Sequence, residues 1–202
     1  MEQLKKYATT ISGVALILYA VIGFVGNSSF LSIILNLGIL VAGITCFIEK
    51  TDLIKTIGLG VSAISLFFSF IIGFFKFIGN IFKGYFGFFD SLIFLVSYVG
   101  LIIEILAIVF MAILVLLKFK NISNKLRKYW YVPAGLLFVS TLVGIITSIV
   151  MALIYGAFSF GMIFSIIGSI VISLIGIIGF AGLGLSISED VEIKHENHNV
   201  EI

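Results

Sequence analysis

Six stretches of roughly twenty residues, each apolar on every side, leave this chain one environment in which it can fold. They cover residues 8–26, 29–48, 56–75, 91–117, 132–154 and 162–185, and each is long enough to cross a bilayer as a helix. Hydrocarbon offers no water to the backbone, so a spanning segment must satisfy its own amides. The runs do not alternate apolar with polar residues, which excludes a transmembrane barrel. With 61% hydrophobic and 11% charged residues, the chain is more apolar than soluble domains are. The expected fold is therefore all-α, a six-transmembrane-helix bundle forming a single membrane domain over residues 1–186. Residues 187–202 are expected to be a polar, disordered tail, too short for a core of their own.

The cations predict an orientation. Lys5, Lys6, Lys50, Lys55, Lys118, Lys120, Lys125, Arg127, Lys128 and Lys194 fall beside one set of span ends, whereas only Lys76 and Lys83 fall beside the other. Ten against two places both termini in the cytoplasm of a multi-pass protein of the cell membrane. The basic loop that holds Lys118, Lys120, Lys125, Arg127 and Lys128 leads into Tyr129, Trp130 and Tyr131. It is expected to act as an orientation anchor that meets the headgroups of the lipid bilayer, with capture of anionic lipid as the functional alternative. No recognition fold accompanies this charge, so nucleic acid is not expected as a partner. Cys46 stands alone, and His195 and His198 lie in the polar tail, so no metal or other cofactor is expected.

Between spans three and four the chain is crowded with phenylalanine, yet Lys76, Asn80, Lys83, Gly87 and Asp90 recur at spacings of four, three, four and three. That stripe predicts an amphipathic helix over residues 74–90 lying in the membrane interface, weakened by Gly79, Gly84 and Gly87, as a connector or a lid. Small residues also recur in register. Ser140, Gly144, Ser148 and Ala152 on span five, and Ser62, Ser65 and Ser69 on span three, are expected to be helix-packing faces, within the chain or in a homo-oligomer or a complex with another membrane protein. Ser165, Ser169 and Ser173 on span six read the same way.

Glu104 is the one acidic residue inside a span. A charge in hydrocarbon is costly, so such a residue marks a site by default and needs a partner. Its helical neighbours Ser97, Gly100 and Ala107 are small, which points that face into the bundle. Lys76 cannot reach it, because thirteen residues of helix separate Glu104 from Ser91 at the edge of the span, about 20 Å. Without a counter-ion the carboxyl is expected to hold its proton and donate one hydrogen bond. Asn36, near the middle of span two, is the expected acceptor, with Tyr19 and the span-three serines as alternatives.

Two functional classes fit these residues. In the first, the protein is a non-enzymatic membrane component of the stress, immunity or assembly type, with Glu104 clamping helices together. In the second, it is a small permease or the membrane substrate-binding subunit of a transporter, with Glu104, Asn36, Ser97 and Tyr19 on the path of a substrate or ion. The first is favoured from sequence, since one buried glutamate is fewer polar groups than a transport path generally needs. An enzyme is not expected, because the spans hold no His, Asp, Lys or Arg to complete a catalytic pair. A cavity with Glu104 in its wall would favour the second class, and tight packing around it the first.

Overall fold

The computed structural model describes residues 2–26, 29–48, 51–84, 87–120, 125–155 and 159–198. Among these the chain is entirely helical: α1 (Glu2–Gly26), α2 (Phe30–Ile44), α3 (Asp52–Phe82), α4 (Phe88–Phe119), α5 (Val132–Tyr155) and α6 (Phe160–His198), with 3₁₀ turns at Thr45–Phe47 and Lys125–Tyr129. Each of the six is long and apolar enough to cross a membrane.

Local chemistry sets several of the ends. Ser29 is extended, and its hydroxyl accepts from the Ser32 amide at 3.2 Å to open α2. Asp52 sits in the first turn of α3, where the helix dipole favours a carboxylate. The Asp90 carboxylate accepts from the Gly87 amide at 3.0 Å and starts α4. Gly84, at φ 70°, takes the left-handed turn that a side chain resists and lets the chain leave α3.

The aromatic segment at residues 74–90 differs from expectation. It is not a separate helix, because α3 runs unbroken through it to Phe82 and α4 begins at Phe88. The reason is cross-helix aromatic packing. Phe70, Phe74 and Phe77 surround Tyr98 of α4 with ring centroids 5.6, 6.0 and 5.8 Å away, and Phe77 also meets Phe94 at 5.7 Å. These contacts anchor α3 to α4 up to Phe77, the helix continues through Gly79 to Phe82, and the break falls at Gly84. At the other terminus, α6 continues beyond its apolar span to His198, since extending a formed helix needs no new nucleus.

Consecutive helices pack antiparallel in a ring that closes α6 onto α1. Hydroxyls stitch the ring together. Ser62 and Ser65 of α3 donate to the Leu35 and Leu31 carbonyls of α2 at 2.9 and 2.5 Å, Ser140 of α5 donates to Gly100 of α4 at 2.9 Å, and Ser12 of α1 donates to Gly179 of α6 at 2.6 Å. Gly38 and Gly58 bring α2 and α3 so close that a Cβ on Gly58 would lie 2.7 Å from the Gly38 carbonyl oxygen.

The packed core occupies one half of the bundle. Leu16, Ile39, Leu59, Ile108, Met111, Leu114, Phe180, Leu183 and Ile187 are all buried together, and they lie toward the end that carries most of the cations. The opposite half is looser beside α5 and α6, where 11% and 17% of the span is buried against 28–33% for the other four helices. That asymmetry leaves room for a site.

Candidate functional site

A cavity of about 600 Å³ opens into the loosely packed half, walled by α4, α5 and α6 and floored by Tyr19 of α1 and Ile39 of α2. Glu104 is in its wall. The side chain is half-buried, and the cavity supplies the space it faces. The partner that reaches it is Tyr19, whose hydroxyl donates to the Glu104 carboxyl from across the ring. Tyr19 is held there by α6, where Gly176 presents bare backbone to the tyrosine ring and a Cβ would lie 2.9 Å from it.

Hydroxyls line the rest of the wall. Ser97 comes from α4, Ser140, Thr141, Thr147 and Ser148 from α5, and Ser165, Ser169 and Ser173 from α6. Most have already spent their proton on a carbonyl oxygen. Ser97 donates to Ile93 at 3.1 Å, Thr141 to Leu137 at 2.8 Å and Thr147 to Val143 at 2.7 Å. Ser148 donates to Gly144 at 2.9 Å and Ser169 to Ser165 at 2.9 Å. Apolar side chains such as Leu101, Leu137, Ile145 and Met162 fill the gaps. Phe180 and Ile108 close the deep end onto the core, and both are 2% exposed.

Three of the four residues expected on a pathway, Glu104, Tyr19 and Ser97, therefore share this cavity, and Asn36 does not. Asn36 is 4% exposed and packs against Gly23 of α1, so it is not the acceptor for Glu104. Spacing along α2 correctly turned it inward, but it meets α1 instead of α4. No hydrogen bond of its amide is formed among the described residues. An Asn36→Leu variant, nearly the same in shape, is accordingly expected to keep or slightly raise the melting temperature, because a buried unpaired amide costs free energy. A loss of 1 kcal/mol or more, about the worth of a hydrogen bond, would show that the amide has a partner.

The small-residue stripe of α5 also needs correction. Ser140 bonds to α4 and Ala152 is buried, but Gly144 and Ser148 face the cavity, and nothing lies within 4 Å of a Cβ built on Gly144. Small side chains leave a hollow where the neighbouring helix does not close in. On α3, Ser62 and Ser65 sit in the α2 contact while Ser69 is half-buried. Thr141, Thr147 and Phe180 were not singled out by the sequence reading. The threonines stand one position off the stripe and could have been found by counting hydroxyls around the whole face.

Of the five basic residues expected at lipid headgroups, Lys120 and Lys128 are exposed, with the Lys128 ammonium 5.0 Å from the Tyr129 ring centroid. Lys118 instead turns to Asp52 at 4.0 Å. The side chains of Lys125 and Arg127 lie outside the described residues. Cys46 is buried and its thiol donates to the Ala42 carbonyl at 3.3 Å. Among the described residues, no three His, Cys, Asp or Glu come together to hold a metal ion. No family model matches the chain, and no curated protein or solved structure shows significant similarity to it.

Proposed function

We propose that this protein binds a small solute inside its membrane bundle, as a small permease or as the substrate-binding subunit of a transporter, with Glu104 as the residue that contacts the solute. The cavity carries the proposal: about 600 Å³ of space with the Glu104 carboxyl in its wall lies within the range of small-molecule sites. In the orientation that the cation bias favours, the cavity faces away from the cytoplasm and the packed core beneath Glu104 seals the cytoplasmic side. A purely structural clamp draws support from the Tyr19 to Glu104 bond, which ties α1 to α4, but a clamp gives no reason for the space beside it. Catalysis is not part of the proposal, since Glu104 and Tyr19 are the only ionisable side chains among the described residues of the wall.

The test is an infrared titration of the Glu104 carboxyl band in the purified protein, identified by its loss in Glu104→Gln. A band that changes with pH is expected, because water in the cavity carries protons to the carboxyl. A band that stays fixed at every pH, together with a large loss of stability in Glu104→Gln, would mean a sealed clamp and remove the solute-binding reading.

A further inference from the structure

The way the cavity spends its hydroxyl protons bears on what it can hold. A serine or threonine hydroxyl has one proton and two lone pairs. Five of the wall's hydroxyls give that proton to a carbonyl of their own helix, and Ser140 gives its proton to α4. What these six can offer a solute is oxygen lone pairs. The Tyr19 proton is committed to Glu104, and the helical backbone amides of the wall are bonded within their helices. Only Ser165 and Ser173 make no such bond among the described residues, and their hydroxyls can turn either way. The wall is thus rich in acceptors and poor in donors, with one carboxyl and no cation among its described residues.

The geometry points to a small organic ammonium ion as the solute, its N–H groups on Glu104 and the surrounding hydroxyl oxygens and its carbon skeleton against the apolar side chains between them. An ammonium brings three donors and a positive charge, the complement of this surface. Anions are opposed. They would meet lone pairs and a carboxylate with no basic group to receive them, and desolvating a charge without a partner is costly. A neutral polyol needs donors from the protein as well as acceptors, and most of those here are spent. A divalent metal ion requires several oxygens converging at about 2.0–2.6 Å, including more than one carboxylate as a rule, whereas these hydroxyls are spread over three helices. Leu101, Leu137, Ile145 and Met162 suit a ligand with an apolar part better than a bare monovalent ion.

The assignment rests on the cavity being a solute site, and its test separates the two. Full-length protein in lipid nanodiscs is titrated by calorimetry with benzylammonium, benzyl alcohol, benzoate and potassium chloride, which share a size or a charge but not both. Benzylammonium is expected to bind at least tenfold more tightly than the alcohol, the equivalent of roughly 1.4 kcal/mol, and benzoate not at all. Its affinity should fall as pH is lowered, because a proton then competes for the carboxylate. Glu104 faces only Tyr19 among ionisable groups of the described wall, so the dependence should vanish in Glu104→Gln along with the preference for the amine. Wild-type protein reports the same competition as protons released on binding, should that variant fold poorly. Equal binding of the alcohol or benzoate, or displacement of the amine by potassium chloride at equal occupancy, would overturn the assignment. So would no binding of any probe to a protein whose Glu104 titrates, which leaves the cavity as a solute site of another class. A Glu104 that never titrates removes both.

Discussion

Gly144→Phe is expected to leave the fold standing and close the cavity. Most glycines at helix contacts in this bundle would drive a new Cβ into a neighbour, as Gly58 does against the Gly38 carbonyl. Gly144 is the opposite case, with open space within 4 Å of the position a Cβ would take, and it lies in the α5 wall next to Ser148 and across from α4 and α6. A ring placed there fills space that solute and water would use. Replacing glycine by phenylalanine inside a helix gains about 0.5 kcal/mol of helix propensity, and the ring also buries apolar surface, so stability should stay equal or rise. Calorimetric binding of benzylammonium should fall at least tenfold, roughly 1.4 kcal/mol, and the pH response of the Glu104 infrared band should weaken as water is excluded. The pairing of the two readouts matters. A variant that lost binding by unfolding would lower the melting temperature, and one that lost neither binding nor pH response would show that Gly144 does not face the path to Glu104.

What the sequence made legible follows from what a single helix can record about itself. The length and all-round apolarity of each run is a property of one helix, so six helices long enough to span a membrane were readable. The inward direction of Glu104 was readable for the same reason, from Ser97 and Gly100 on its face. Which helix it meets is a property of two, and spacing does not contain it. Asn36 and Tyr19 both point inward, but Asn36 is taken up against Gly23 of α1 while Tyr19 lies against Gly176 of α6, and that packing leaves Tyr19 and not Asn36 beside Glu104 in the cavity. The stripe of α5 failed in a related way. Small residues allow close approach without requiring it, so Ser140 and Gly144 look alike in sequence although one touches α4 and the other faces space. The aromatic segment misled because its polar stripe is real but weaker than the grip of Phe70, Phe74 and Phe77 on Tyr98.

The same limit hid a charged group. Lys55 precedes the apolar run that begins at Thr56 and reads as one more loop cation, yet α3 starts at Asp52 and carries Lys55 into the bundle, where it is 7% exposed. Its ammonium lies 3.0 Å from the Asp52 carboxylate, one helical turn earlier, and Lys118 of α4 approaches the other carboxylate oxygen at 4.0 Å. Asp52→Asn is therefore expected to be the most destabilising conservative substitution in this region. It keeps the shape, removes the negative charge and leaves the nearly buried Lys55 ammonium beside a second cation. Because the Asp52 side chain is itself 23% exposed, the cost falls between that of an exposed and a buried pair, about 2 kcal/mol. The lost carboxylate in the first turn of α3 adds about 0.5 kcal/mol through the helix dipole. Thermal unfolding in a fixed detergent measures the drop, and the cycle completed by Lys55→Met alone and together with Asp52→Asn isolates the pair. The double variant should recover much of the loss, since a neutral, apolar side chain no longer needs the carboxylate. A single-variant cost below about 1 kcal/mol would place the pair with exposed ion pairs, which contribute little, and would mean that water reaches Lys55 at the cation-rich end.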